Sequence, residues 1–141
     1  MTPKLTIFLA GAAAVLAAAC TTAVDGEPKG AAAFADDPRL GEPVDRLCFA
    51  RQIHGFGQTT DRTIVVEASV NEHYLIETAG YCPDLDWAQS ISFDAFSSCL
   101  SRGDSLIPYT SIFGPDHSDL RPPRECLIRE IYAWDPEAGE D

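Results

Sequence analysis

The sequence predicts a mainly β fold: a small antiparallel barrel or strongly bent sheet with one short helical turn, linked by disulfides. Three observations point there. Two adjacent stretches, residues 63–70 and 73–78, alternate apolar and polar side chains with period two. Further short extended runs recur between turn-forming residues, and only one proline-led acidic stretch suggests a helical turn. Finally, Cys48, Cys82, Cys99 and Cys126 fall in a segment too short to bury a large core, where cross-links offset the shortfall.

The elements follow in chain order. Lys4 precedes an apolar run from Leu5 to Ala19, and no further charge comes before Asp25. That is the plan of an export signal over residues 1–19, and the run falls short of the roughly 20 residues that span a bilayer as a helix. Ala17-Ala18-Ala19-Cys20 resembles a bacterial lipobox, in which the cysteine is acylated and becomes the first residue of the mature protein; Leu16 sits one residue earlier than the usual leucine. The competing reading is an ordinary Ala-x-Ala exit that releases a soluble periplasmic protein. Cysteine arithmetic favours the lipid. The chain has five cysteines, an odd number is a liability in an oxidising compartment, and acylating Cys20 leaves an even four. Thr21 resembles the residue that follows the cysteine in lipoproteins passed to the outer membrane.

Residues 20–44 hold three prolines and three glycines without sustained apolar periodicity and read as a flexible tether. Residues 45–134 hold every aromatic except Phe8 and Phe34 and are read as the folded β domain. Within it, Ile64, Val66, Ala68 and Val70 share one face of a strand, and Asn71-Glu72 turns the chain into a second strand with Tyr74 and Ile76 on one side. Pro83 to Ala88 forms the helical turn. Ser90 to Asp94 is a short strand, and Ser105 to Phe113 is another that Pro108 demotes to a sheet edge. Cys48 to Phe56 and Cys126 to Trp134 echo one another in residue type. They are expected as the terminal strands of one sheet, with Arg51 and Arg129 on solvent and Ile53 and Ile131 buried. Residues 135–141 form an acidic tail, expected to be disordered.

The four domain cysteines allow three pairings. The expected one joins Cys82 to Cys99 across a local turn and Cys48 to Cys126 between the echoing segments; the runner-up joins Cys48 to Cys82 and Cys99 to Cys126. Zinc is not expected, because no Cys-x-x-Cys or closely spaced histidine pair occurs.

Twenty-two acidic against ten basic residues give a net charge of −12, which excludes a surface built to hold nucleic-acid phosphates. His117, Arg121 and Arg124 form the one locally cationic stretch and are the candidates for an anion contact. Arg102-Gly103-Asp104 spells an integrin-binding tripeptide, although a turn before the strand at Leu106 accounts for it without a partner. His54, His73 and His117 could serve acid–base chemistry, but the spacing sets no serine or cysteine as a nucleophile for the loop around His117, where a solvated histidine is the simpler reading.

The residues now placed carry a family resemblance. Cys48 with Ile53 and Phe56, Asp61-Arg62, Tyr74-Leu75, Cys82-Pro83-Asp84-Leu85, Cys99 with Gly103-Asp104, and Cys126-Leu127-Ile128 with Ile131 resemble an uncharacterised domain-of-unknown-function family of short proteobacterial exported proteins, many of them lipoproteins. The likeness covers Cys48 to Trp134 and leaves out tether and tail. It implies export and a small cysteine-linked domain, and it brings no activity or catalytic residue with it.

The functional expectation is a non-catalytic lipoprotein of the cell envelope, a binding or structural module. Its membrane contact is through lipid on Cys20, its place is the outer membrane facing the periplasm, and it uses no cofactor or metal. The alternatives are an envelope hydrolase using the histidine at His117, and a soluble periplasmic ligand carrier.

Overall fold

The computed structural model describes residues 26–48, 53–58, 60–115 and 123–140. In chain order these residues hold a 3-10 turn (Gly30–Phe34), β1 (Leu40–Pro43), β2 (Arg46–Cys48), β3 (Gly55–Gln58), β4 (Thr63–Ser69), β5 (Glu72–Thr78), a second 3-10 turn (Leu85–Trp87), β6 (Ser90–Asp94), β7 (Cys99–Ser101), β8 (Ser105–Tyr109) and β9 (Cys126–Trp134). An antiparallel path runs β3-β4-β5-β9-β8-β6 and curls into a half-barrel, with β1 also on β9; β2 and β7 make a separate two-stranded ribbon.

The period-two stretches become β4 and β5. Ile64, Val66 and Ala68 are buried on one face of β4, as their spacing requires. The hairpin turns at Val70-Asn71, one residue earlier than expected, with Asn71 at φ 66°, a left-handed conformation that asparagine tolerates. The helical turn forms within the stretch expected of it and buries Leu85.

β9 holds the sheet together because both of its edges are occupied. β5 runs along one edge from Ile128 to Trp134. On the other, β8 takes Cys126 and Leu127 while β1 takes Tyr132 and Trp134. The gap between them is closed by Gly103 N donating to Ile128 O, Ile128 N to Asp104 O and Val44 N to Ile131 O. The register with β5 shifts between Glu77↔Glu130 and Thr78↔Ile128, so Arg129 is an extra, bulged residue. This bulge decides the packing. It lets Ile128 and Ile131, three positions apart, enter the same core, and it turns Tyr132 and Trp134 to the opposite face.

That opposite face is covered by residues expected to form the tether. Ala31, Phe34 and Leu40 pack with Leu75, Val65, Tyr132 and Trp134 in a second, smaller cluster. Phe34 meets the Trp134 ring edge-on at 5.6 Å, and the Arg39 guanidinium carbon lies 4.9 Å from the same ring. The buried Glu77 carboxylate accepts Ala31 N at 3.3 Å and has Arg129 Nη1 3.9 Å away. Gly30 has φ 67°, and a side chain there would collide with that carboxylate. The packed domain therefore takes in residues from Gly30 onward, within the stretch expected to be a tether up to Val44. The acidic tail is likewise folded back as far as Glu140: Asp135 N donates to Arg39 O at 2.9 Å, and Gly139 lies against Pro38.

Two strand assignments change. The echoing segments are not a terminal pair, because Cys126 to Trp134 is the central strand. Cys48 closes β2, whereas Gly55 and Phe56 open β3 at a sheet edge, and Arg51 lies outside the described residues. Of the remaining echo residues, Ile131 is buried and Arg129 exposed, as expected, whereas Ile53 is only half-buried. Pro108 does not make β8 an edge, since β8 lies between β9 and β6 and ends at Tyr109. Proline is tolerated because it faces Ile91, a pair that exchanges no amide bonds, and lies beyond the reach of β9, whose pairing with β8 stops at Leu106↔Cys126.

Both expected disulfide patterns are also corrected. The bridges are Cys48–Cys99 and Cys82–Cys126, with sequence separations of 51 and 44. Neither is local. The ribbon register sets Cys48 directly opposite Cys99, and Leu47 and Leu100 beside them enter the main core, so the bridge pins the ribbon over that core. Cys82–Cys126 ties the loop before the second 3-10 turn to the first residue of β9. Loops of this size correspond to about 4 kcal/mol of denatured-state entropy per bridge.

Exposure separates the two bridges: Cys82 and Cys126 are buried, whereas Cys48 and Cys99 are half-buried. Graded dithiothreitol followed by alkylation and peptide mass mapping is expected to label Cys48 and Cys99 first, with Cys82 and Cys126 protected until the fold opens.

A pH effect follows from Asp37. Its side-chain bond with Arg39 and the Arg39 backbone amide hold the carboxyl at about 2, below its ordinary 3.8. A carboxylate lowered on folding favours the folded form above the ordinary value and loses that contribution as pH falls from about 4 to about 2. The Trp134 fluorescence of a Trp87→Phe protein is expected to change over this window, and Asp37→Asn to remove that part of the transition.

Candidate functional site

The two strands at the ends of the sheet path, β3 and β6, do not pair with each other. Between them lies a groove of ≈540 Å³, in the size range of ligand sites. It is the open seam of the half-barrel. One wall is Ile53 to Phe56, where β3 begins; the other runs from Gln89 through β6 to Ala95, with Ser97 and Ser98 at the end.

The local sequence explains how each wall is built. Phe56 is half-buried against the main core while Gly55 and Gly57 alternate with it, so this strand is thin. On β6, Ile91 and Phe93 pack against the core, as their alternation predicts. Ser90 and Ser92 turn their hydroxyls to the β8 side, Ser90 Oγ donating to Ser111 O at 2.6 Å and Ser92 Oγ lying 3.0 Å from Tyr109 Oη. Asp94 is exposed at the far end of β6, and His54 is exposed at the start of the opposite wall. Chemically, the groove offers an apolar floor, the backbone edges of two strands, one histidine and one carboxylate.

The residues singled out in the sequence do not converge on this groove, apart from His54. Cys20, His117 and Arg121 lie outside the described residues. Arg124 is exposed just before β9, beside a shallower hollow lined by Gly80, Tyr81, Pro83 and Leu127. His73 is half-buried on β5, across from Glu67 on β4. Among the described residues, no group of three or more histidine, cysteine or acidic side chains is placed to hold a metal ion. No helix of the described residues is long and apolar enough to cross a membrane.

Arg102-Gly103-Asp104 has a structural explanation. The Asp104 carboxylate accepts Ser101 N at 2.7 Å, Ser101 Oγ at 3.0 Å and Phe96 N at 3.3 Å, and Gly103 adopts φ 90°. Arg102 reaches Asp45 at 3.4 Å and Glu130 at 3.3 Å. The carboxylate is spent on closing the turn that grips β9, so it is not displayed for a partner.

Sequence reasoning missed the groove because its walls lie more than thirty residues apart and meet only when the sheet curls. The one local signal was Gly-Phe-Gly at residues 55–57, two glycines in a strand that have no turn to make.

A family model described as "Family of unknown function (DUF6491)" matches residues 3–141, well beyond the stretch from Cys48 to Trp134 that carried the resemblance. No curated protein and no solved structure matches the chain.

Proposed function

The chain belongs to DUF6491, a family of unknown function, and from the geometry above we propose that it is a non-catalytic lipoprotein of the cell envelope whose seam groove is a binding site. The groove is the observation that carries this reading: a half-barrel left open between β3 and β6, with Phe56, Ile91 and Phe93 under the opening. An open seam with an apolar floor exposes surface that a ligand would cover. The cysteine count supports the address. Cys48, Cys82, Cys99 and Cys126 are consumed in two bridges, which leaves Cys20 as the fifth cysteine of the sequence. The lipobox-like residues before it and the apolar leader favour acylation there and an outer-membrane position facing the periplasm. A soluble periplasmic carrier would share the groove and differ only in lacking the anchor.

Radiolabelled palmitate fed to expressing cells is expected to enter the wild-type chain and not Cys20→Ser. Label absent from the wild type would leave the soluble carrier standing. For the groove, Nile red is expected to brighten on binding, with Phe93→Asp weakening the titration about tenfold. Val70→Asp, in the β4–β5 turn and 81% exposed, is the control and should leave it unchanged. Equal responses from the two variants would remove the groove as the binding site.

A further inference from the structure

We propose that the groove takes an extended peptide segment, laid antiparallel along the free edge of β6 with a basic group at its N-terminal end. This rests on the groove being the binding site and names what fills it.

The first argument is the direction of the unpaired backbone. β6 pairs with β8 in unbroken register from Ser90↔Tyr109 to Asp94↔Ser105. Pro108 stands opposite Ile91 and has no amide to give, so Ile91↔Pro108 is a pair that exchanges no bonds, and Phe93↔Leu106 is another by alternation. The amides and carbonyls of Ile91 and Phe93 therefore point away from β8, toward the seam. A chain passing there would add a strand by main-chain bonds, which accept many sequences.

The second argument is that, among the described residues, neither edge is guarded. Exposed sheet edges are usually blunted by lysine, proline or a bulge. β1, which bonds β9 on one side only, has a shifted register and Pro43. β3 and β6 carry neither lysine nor proline, and their registers are unbroken. Gly55 and Gly57 do not need positive φ, and a side chain at Gly55 would meet nothing nearer than Glu67 Oε2 at 3.5 Å. Packing does not require glycine on this wall. A thin wall leaves space for another backbone.

Charge complementarity gives the segment its polarity. Among the described residues that line the groove, Asp94 is the one carboxylate, and no lysine or arginine is present. The whole chain carries −12. β6 runs from Ser90 to Asp94, so a segment antiparallel to it places its N-terminal end beside Asp94, where a lysine side chain or free amine is favoured.

The probe is an N-terminally acetylated nine-residue peptide of alternating valine and threonine with lysine first and fluorescein at its C-terminus, titrated into the full chain by anisotropy. Saturable binding is expected. Ile91→Pro, which removes a seam-facing amide and none that bonds β8, should weaken it about tenfold, whereas Ile91→Val should change it less than about twofold. Asp94→Asn should cost several-fold for this peptide and nothing for the version with glutamine in place of lysine, a comparison that does not depend on Ile91→Pro folding. The strand reading is overturned if no peptide binds, if Ile91→Pro and Ile91→Val behave alike, or if the peptide with lysine moved to its last position binds equally well. Nile red bound at the groove with no peptide binding would defeat this proposal and leave the groove reading intact. Loss of both would defeat both.

Discussion

The fold depends on one strand being satisfied on both sides. β9 has no edge exposed to water over most of its length: β5 occupies one side, and β8, the Gly103-Asp104 turn, Val44 and β1 share the other. An unpaired backbone group in such a position would cost free energy comparable to a lost hydrogen bond, so the segments that meet β9 are held to their registers. The Arg129 bulge then lets this single strand serve two cores. Without the extra residue, Ile128 and Ile131 would lie on opposite faces, and either the main core or the Trp134 cluster would lose an anchor.

Local alternation was readable in the sequence, and long-range assembly was not. β4, β5 and β6 were visible because their side chains repeat at the strand period, β9 because its residue types echo those of residues 48–56, and the turn at Leu85–Trp87 because a proline and two acids lie at it. What escaped had causes outside any local window. The docking of Ala31 and Phe34 depends on Leu75 and Trp134, far along the chain, so a stretch rich in alanine, glycine and proline looked like a spacer. Pro108 suggested an edge because the sequence does not show on which side its missing amide would fall. The echo of Cys48 to Phe56 with Cys126 to Trp134 reflected shared strand composition and not shared position. As for the site, only His54 of the residues considered for acid–base, anion or metal chemistry belongs to the groove, whose walls come from segments with no sequence relation to each other.

The disulfides follow the same logic. The expected pairing combined the shortest and the longest separations the four thiols allow, yet both bridges are intermediate, because cross-strand register and the start of β9 decide which thiols meet. Their placement divides the work. Cys82–Cys126 lies within the packed sheet, and Cys48–Cys99 fastens an outlying ribbon that supplies Leu47 and Leu100 to the core. Neither bridge crosses the seam, so the opening between β3 and β6 is free of covalent restraint.

The capture of Gly30 and Ala31 by Glu77 sets a leash length. With an acyl anchor on Cys20, about ten residues separate the lipid from the first docked turn, and a fully stretched chain of that size reaches no more than about 35 Å. A spacer running to Val44 would have reached more than twice as far. Under that anchoring, the end of the domain that holds Gly30 would stay tied close to the bilayer surface, with the rest of the sheet free to swing about that point.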